Sequence, residues 1–204
     1  MSVDLIESAL RPLADPGRAA GMAAYMRDQF PFLGVATPAR RRAVRGLLPR
    51  TLDRDLVDAL WSLPEREFQY VACDHLQKVP LESAAADFLR SLVVRKSWWD
   101  TVDALAKPVG RACTPEQMRA WARDDNLWVR RAAVLHQLGR REATDAELLG
   151  EILAGNLDSG EFFLDKAVGW ALREYSKTDP AWVRTFLDEH EMAALTRREG
   201  SKYL

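Results

Sequence analysis

Apolar residues recur three and four positions apart along nearly the whole chain, the spacing of one helix face. Phe162, Leu164, Ala167, Val168, Ala171 and Leu172 make one such stripe. No stretch alternates apolar and polar with period two, and no Asn-Gly or Gly-rich hairpin turn breaks the pattern. The chain therefore reads as helix after helix, punctuated by Pro and by Ser, Thr or Asp. The spacing predicts helices over 3–13, 18–30, 37–48, 52–63, 64–78, 82–94, 97–106, 114–123, 127–138, 144–153, 161–177 and 179–189. Thr37-Pro38, Thr114-Pro115 and Asp179-Pro180 each supply a capping side chain followed by a proline, which suits the first helical position. The fold class is all-α.

A weak repeat runs through these helices. Phe68 and Ala72, Trp99 and Asp103, Trp128 and Ala132, and Phe163 and Ala167 are each an aromatic four residues before a small or acidic one. Arg40 to Arg42 followed by Ala43 continues the phase upstream without the aromatic, so the steps are 29, 31, 29 and 35 residues. That is the length of a helical pair, and Trp128-Val129-Arg130-Arg131-Ala132-Ala133 resembles the second helix of a HEAT repeat. Stacked pairs make a solenoid with an extended concave surface, here expected as a single HEAT-like repeat domain over residues 1–204. In this register Asp103 takes the slot that the other repeats give to alanine. A carboxylate between packed helices is costly unless the slot opens onto a groove or a partner, which marks Asp103 as a candidate site.

The stretch around it, Lys96-Ser97-Trp98-Trp99-Asp100-Thr101-Val102-Asp103, mixes two indoles with two acids. Trp99 and Asp103 are four apart and lie one above the other on a helix. An aromatic wall beside a fixed negative charge suits a cationic or electron-poor ligand. The plainer reading, an indole half-buried between helices, is taken for Trp98, with Asp100 a surface charge. Trp128, Phe68 and Phe163 fill the aromatic slot of ordinary repeats, and Trp61, Trp121 and Trp182 are read as packing. Glu65 and Glu67 suit the first turn of a helix, where they favour the dipole, and are not read as an acid–base pair.

Composition narrows the class. With 48% hydrophobic and 29% charged residues in 204, the chain is long enough for one sizeable core or a stacked array of helices. No apolar run is long enough to span a membrane, and Met1-Ser2-Val3-Asp4 does not begin a secretion signal, so no membrane partner is expected. Cys73 and Cys113 have no paired spacing, and His75, His136 and His190 form no ligand motif. Neither a disulfide nor a metal is expected, and a reducing cytoplasm fits. Net charge is −1, yet Arg40, Arg41, Arg42, Arg45 and Arg50 crowd one stretch, and Arg123, Arg130, Arg131, Arg140 and Arg141 another. A locally basic face on a neutral protein can still hold a polyanion.

Five stretches together resemble the DNA alkylation repair glycosylases of the AlkD type, built from HEAT-like repeats. They are Phe32-Leu33-Gly34-Val35 with Thr37-Pro38 and Arg40-Arg41; Leu63 to Gln69; Lys96 to Asp103; Asp125-Asn126 with Trp128 and Arg131-Ala132-Ala133; and Glu161-Phe162-Phe163 through Gly169-Trp170 to Tyr175. The resemblance implies a concave DNA-binding face and excision of positively charged N3- and N7-alkylated purines from duplex DNA. It implies no metal or nucleotide cofactor and no base-flipping pocket; the chain is expected to act as a monomer. By position it implies Asp103, Trp99 and Trp170 as the catalytic set, Arg131 as a contact to the DNA backbone, and Tyr25 in the same groove. This chain ends at Leu204, short of the basic tail associated with the family, so no contact from such a tail is expected. Two plainer readings stand beside these roles: Trp170 filling core next to a closely packed Gly169, and Arg131 pairing with Asp124 or Asp125. The rival function is a non-catalytic helical-repeat scaffold that binds DNA or protein in its groove.

The residue types suit the implied chemistry. An N-alkylated purine is already a cationic leaving group and needs no general acid. What remains is to stabilise positive charge on the sugar and to place a water, and one ionised carboxylate serves both. At about 4 Å and an effective dielectric near 20, a charge pair is worth about 4 kcal/mol, roughly a thousandfold in rate.

Overall fold

The computed structural model describes Ser2–Leu204, and among these residues the regular structure is entirely helical. Contacts group the chain into two compact units, one ending at Pro80 and one spanning Leu81–Leu204.

In the first unit, α1 (Val3–Leu10), α2 (Pro16–Tyr25), α3 (Thr37–Ala43), α4 (Arg54–Ser62) and α5 (Arg66–Leu76) follow one another. Asp15 and Asp53 cap α2 and α4 through their side chains. Thr37 is the first helical residue of α3 rather than its cap, and Ala36 stands in the cap position without a side-chain bond. That helix also ends earlier than expected, because the chain turns off at Gly46 with φ of +83°. α5 is buried almost throughout, including Phe68 and Ala72. Its Glu67 is fully buried and accepts the backbone N–H groups of Leu33, Gly34 and Val35 at 2.9, 2.9 and 3.0 Å. Arg66 lies over the Phe30 ring at 3.8 Å. These contacts strap the segment before α3 onto α5. Gly34 there has φ of +85°, and a Cβ would stand 2.1 Å from the Asp15 carbonyl oxygen, so the position requires glycine.

The second unit contains α6 (Ala86–Val93), α7 (Trp99–Ala112), α8 (Pro115–Trp121), α9 (Leu127–Leu135), α10 (Ala146–Ala154), α11 (Phe162–Tyr175), α12 (Pro180–Glu189) and α13 (Ala194–Gly200). Thr114 and Gln117 form a reciprocal capping box on α8. α7 runs six residues beyond the predicted end, through Pro108. The proline removes one backbone bond, yet Leu105, Val109 and Ala112 stay buried on the same face and carry the helix past it. α13 had no counterpart in the pattern: it is short, rich in charge and lacks a side-chain cap. Burial nevertheless holds it, since a Cβ on Gly169 of α11 would stand 2.7 Å from Glu199 Cβ and 2.9 Å from the Thr196 carbonyl oxygen. Thr196 Oγ1 donates to the Asp165 carbonyl at 2.9 Å, and Arg173 pairs with Glu199 at 2.8 Å.

Candidate active site

α7, α9 and α11 pack in succession, and their N-terminal ends are joined by three rings. Trp98, the N-cap of α7, lies 5.6 Å from Trp128 and 5.0 Å from Phe163, and those two are 5.3 Å apart. Each such pair contributes about 0.5–1.5 kcal/mol beyond burial. The aromatic slot of α7 is thus filled by Trp98 and not, as the repeat phase suggested, by Trp99.

The helix starts give the polar register. The N-caps are Trp98, Asn126 and Glu161, and the fifth residue after each is Asp103, Arg131 and Lys166. Asp103 therefore aligns with two cations rather than with Ala132 and Ala167. Arg131 Nε and Nη2 donate to the two Asp103 carboxylate oxygens at 2.7 and 2.8 Å, a bidentate pair. Its Nη1 donates to the Phe163 carbonyl. The Arg131 side chain is 5% exposed and that of Asp103 15%, so the guanidinium is enclosed and the aspartate is the more open of the two.

Burial pushes the Asp103 carboxyl above its ordinary value. Hydrogen bonds and charge from Arg131 pull it back without cancelling the effect, while Asp100 adds to it and Lys166 opposes it. Lys166 is exposed, with Nζ 5.6 Å from the centroid of Phe162, itself 51% exposed.

The two candidate indoles sit one helical turn from this polar row. Trp99 is half-buried, four residues before Asp103 on α7; Trp170 is half-buried, four residues after Lys166 on α11. Tyr25 lies in the other unit, at the end of α2 and 73% exposed, beside a cavity of about 370 Å³ that Arg18, Phe32 and Tyr70 also line. The pairing of Arg131 with Asp124 or Asp125 is not formed. Asp124 is taken by Arg90 at 2.5 Å and Arg131 by Asp103. Lys166 was missed in the sequence; counting from helix starts instead of from aromatics would have found it.

The family profile described as DNA alkylation repair enzyme matches residues 6–204. The chain belongs to that family. A solved structure described as a predicted DNA alkylation repair enzyme from Enterococcus faecalis is 35% identical, with a TM-score of 0.85, covering 94% of this chain and 96% of its own. Comparison with curated proteins gives no match.

Other groups in this DNA alkylation repair protein have structural partners. Glu65 pairs with Arg11 at 2.7 Å while Glu67 holds the strapped segment, so the two carboxylates serve different elements. His136 is buried and bonded through Nδ1 to the Ala133 carbonyl. Among the described residues no group of three or more His, Cys, Asp or Glu is placed to hold a metal ion, and no helix is long and apolar enough to cross a membrane.

Proposed function

We propose that this member of the DNA alkylation repair family is an N-glycosylase that excises positively charged N3- and N7-alkylated purines from duplex DNA. The observation that carries the reading is the Asp103 carboxylate, held at both oxygens by buried Arg131, on a side chain that stays partly exposed one turn from Trp99. The C1′–N bond breaks with its electron pair moving to the base, which leaves neutral. Asp103 stabilises the positive sugar and accepts a hydrogen bond from the water that attacks C1′. Trp99 and Trp170 offer indole faces to the sugar and the cationic base, about 0.5–2 kcal/mol each. A neutral purine gains little from such a site and stays, so the base need not be held in a flipped-out pocket.

Arg131 in this reading positions the carboxylate and keeps it ionised. A contact of Arg131 to the DNA backbone, also proposed, would need its enclosed guanidinium to be uncovered when DNA binds. Tyr25 is proposed as a further DNA contact. We also propose that residues 1–204 act as one repeat domain, as a monomer in the cytoplasm, without a cofactor. The deciding experiment is release of free base from duplex DNA carrying N7-methylguanine or N3-methyladenine, with a chelator present. Release supports the reading. Tight DNA binding with no release would make the protein the non-catalytic scaffold.

A further inference from the structure

The first unit holds a basic feature that excision chemistry does not use. After α3 the chain turns through Gly46 and runs on to Arg50, and between this segment and the end of α5 lies a cavity of about 640 Å³. Arg41, Arg45, Arg50 and Lys78 line it, with apolar surface from residues such as Val44 and Val79. Asp74 is the one carboxylate on the lining. It is already held by Arg40 at 3.0 Å and Arg41 at 2.8 Å, and it is buried, so its single charge is shared between those two and does not offset the others. Arg45, Arg50 and Lys78 are exposed and make no ion pair among the described residues.

Cations near helix C-termini are favoured by the dipole, and that accounts for one or two charges here. It does not account for three uncompensated cations around an open space with an apolar wall, since like charges gathered there repel until an anion joins them. We propose that this cavity is an anion site that takes phosphate groups, carried either by a nucleic-acid strand or by a free nucleotide. Guanidinium groups offer paired N–H donors that match phosphate oxygens, and the apolar wall suits a sugar or base attached to the phosphate. The site stands apart from the excision reading, because a protein that releases no base would still hold phosphate there.

The test uses the full chain, with Arg45→Gln/Arg50→Gln and, separately, Lys78→Gln. All three side chains are exposed, so thermal midpoints should stay near wild type. In one arm, binding of an undamaged labelled duplex is followed by anisotropy across a salt series. In the other, pyrophosphate and adenosine monophosphate are titrated by calorimetry. If a strand is the source, the double variant binds the duplex more weakly, and its slope of log K against log salt flattens by about 1.8, close to 0.9 for each lost phosphate contact. If a free nucleotide is the source, wild type binds the small phosphates, both variants lose that binding, and duplex affinity is unchanged. The proposal is overturned if the slope is unchanged and the small phosphates either do not bind or bind all variants alike. Undamaged DNA is used throughout, so loss of excision does not enter the result.

Discussion

Replacing Asp103 by Asn should slow excision more than the net field of the site suggests, and removing Arg131 as well should restore part of the rate. A sugar cation about 4 Å from the carboxylate gains about 4 kcal/mol at an effective dielectric of 20. Arg131 is bonded to both oxygens of that carboxylate at 2.7 and 2.8 Å, and the proposed mechanism has the sugar approach from the side that the guanidinium leaves open. At about 7 Å it repels the cation by about 2 kcal/mol, leaving wild type a net gain of about 2 kcal/mol, or roughly thirtyfold. Asp103→Asn removes the attraction and leaves the repulsion, so the loss is about 4 kcal/mol, on the order of a thousandfold. Asp103→Asn/Arg131→Met removes both, and its loss is only about thirtyfold. The double variant is then the faster of the two. The assay is single-turnover release of N7-methylguanine from duplex DNA at saturating protein, so that slow product release does not mask chemistry. Stability must be followed in parallel. Breaking a buried ion pair costs up to about 3–5 kcal/mol, and a chain of this size loses about 2–4 °C in Tm per kcal/mol. The Asn amide oxygen and the Phe163 carbonyl still accept from Arg131, so the observed drop should fall short of that limit. A single variant as fast as wild type, or a double variant no faster than the single, refutes the electrostatic account.

Three further outcomes are expected. Because burial raises the Asp103 carboxyl and excision needs it ionised, the single-turnover rate should fall with decreasing pH through a value above that of an ordinary aspartate; Asp103→Asn should show no such limb. His136, whose value burial lowers from 6.5 to about 4, binds fewer protons folded than unfolded in that range. Its share of stability is present above pH 6.5 and lost as pH falls toward 4, about 3 kcal/mol at most, so His136→Gln should flatten the decline of Tm across that window. Gly169→Ala should lower stability by about 1–3 kcal/mol, read as a drop in Tm, because its Cβ would press on Glu199 Cβ and the Thr196 carbonyl. A Gly169→Ala protein as stable as wild type would show that α13 yields easily.

Much of the fold could be read from the chain because apolar spacing and capping residues agree. Thr114 and Asp179 cap the helices that follow them, and α8 and α12 start close to where those signals put them, while Thr37 is the first residue of α3 and not its cap. What escaped depends on neighbours distant in sequence. α7 continues through Pro108 because its buried face outweighs one lost bond, and α13 forms because α11 covers it; neither cause is local. At the site, Asp103 was visible as a carboxylate in need of a groove or a partner. Its partner was not, since Arg131 lies 28 residues away and nearer acids stood in the same stretch. Repeat phase counted on aromatics failed by one residue at Trp98, because an N-cap side chain does not obey helical spacing. Gly34 was part of a recognised motif, but only the Asp15 carbonyl 2.1 Å from its missing Cβ explains why the motif needs it.

The close seat of α13 on Gly169 also sets how the protein should fail. Trp170 is the next residue, so α13 acts as a stop against rotation of α11 about its own axis. An indole reaches about 8 Å from the axis of a helix with 3.6 residues per turn, and a rotation of about 10° would swing it by more than about 1 Å. Errors of that size at a reacting centre are enough to cost about a hundredfold in rate. The segment between α12 and α13, around His190–Ala193, is therefore a point of mechanical weakness for the proposed chemistry. A single protease cut there would leave α7, α9 and their ion pair in place, and it should release the stop. The cleaved protein should keep its helical spectrum and its grip on DNA while excision slows, a misaligned tool rather than a broken one.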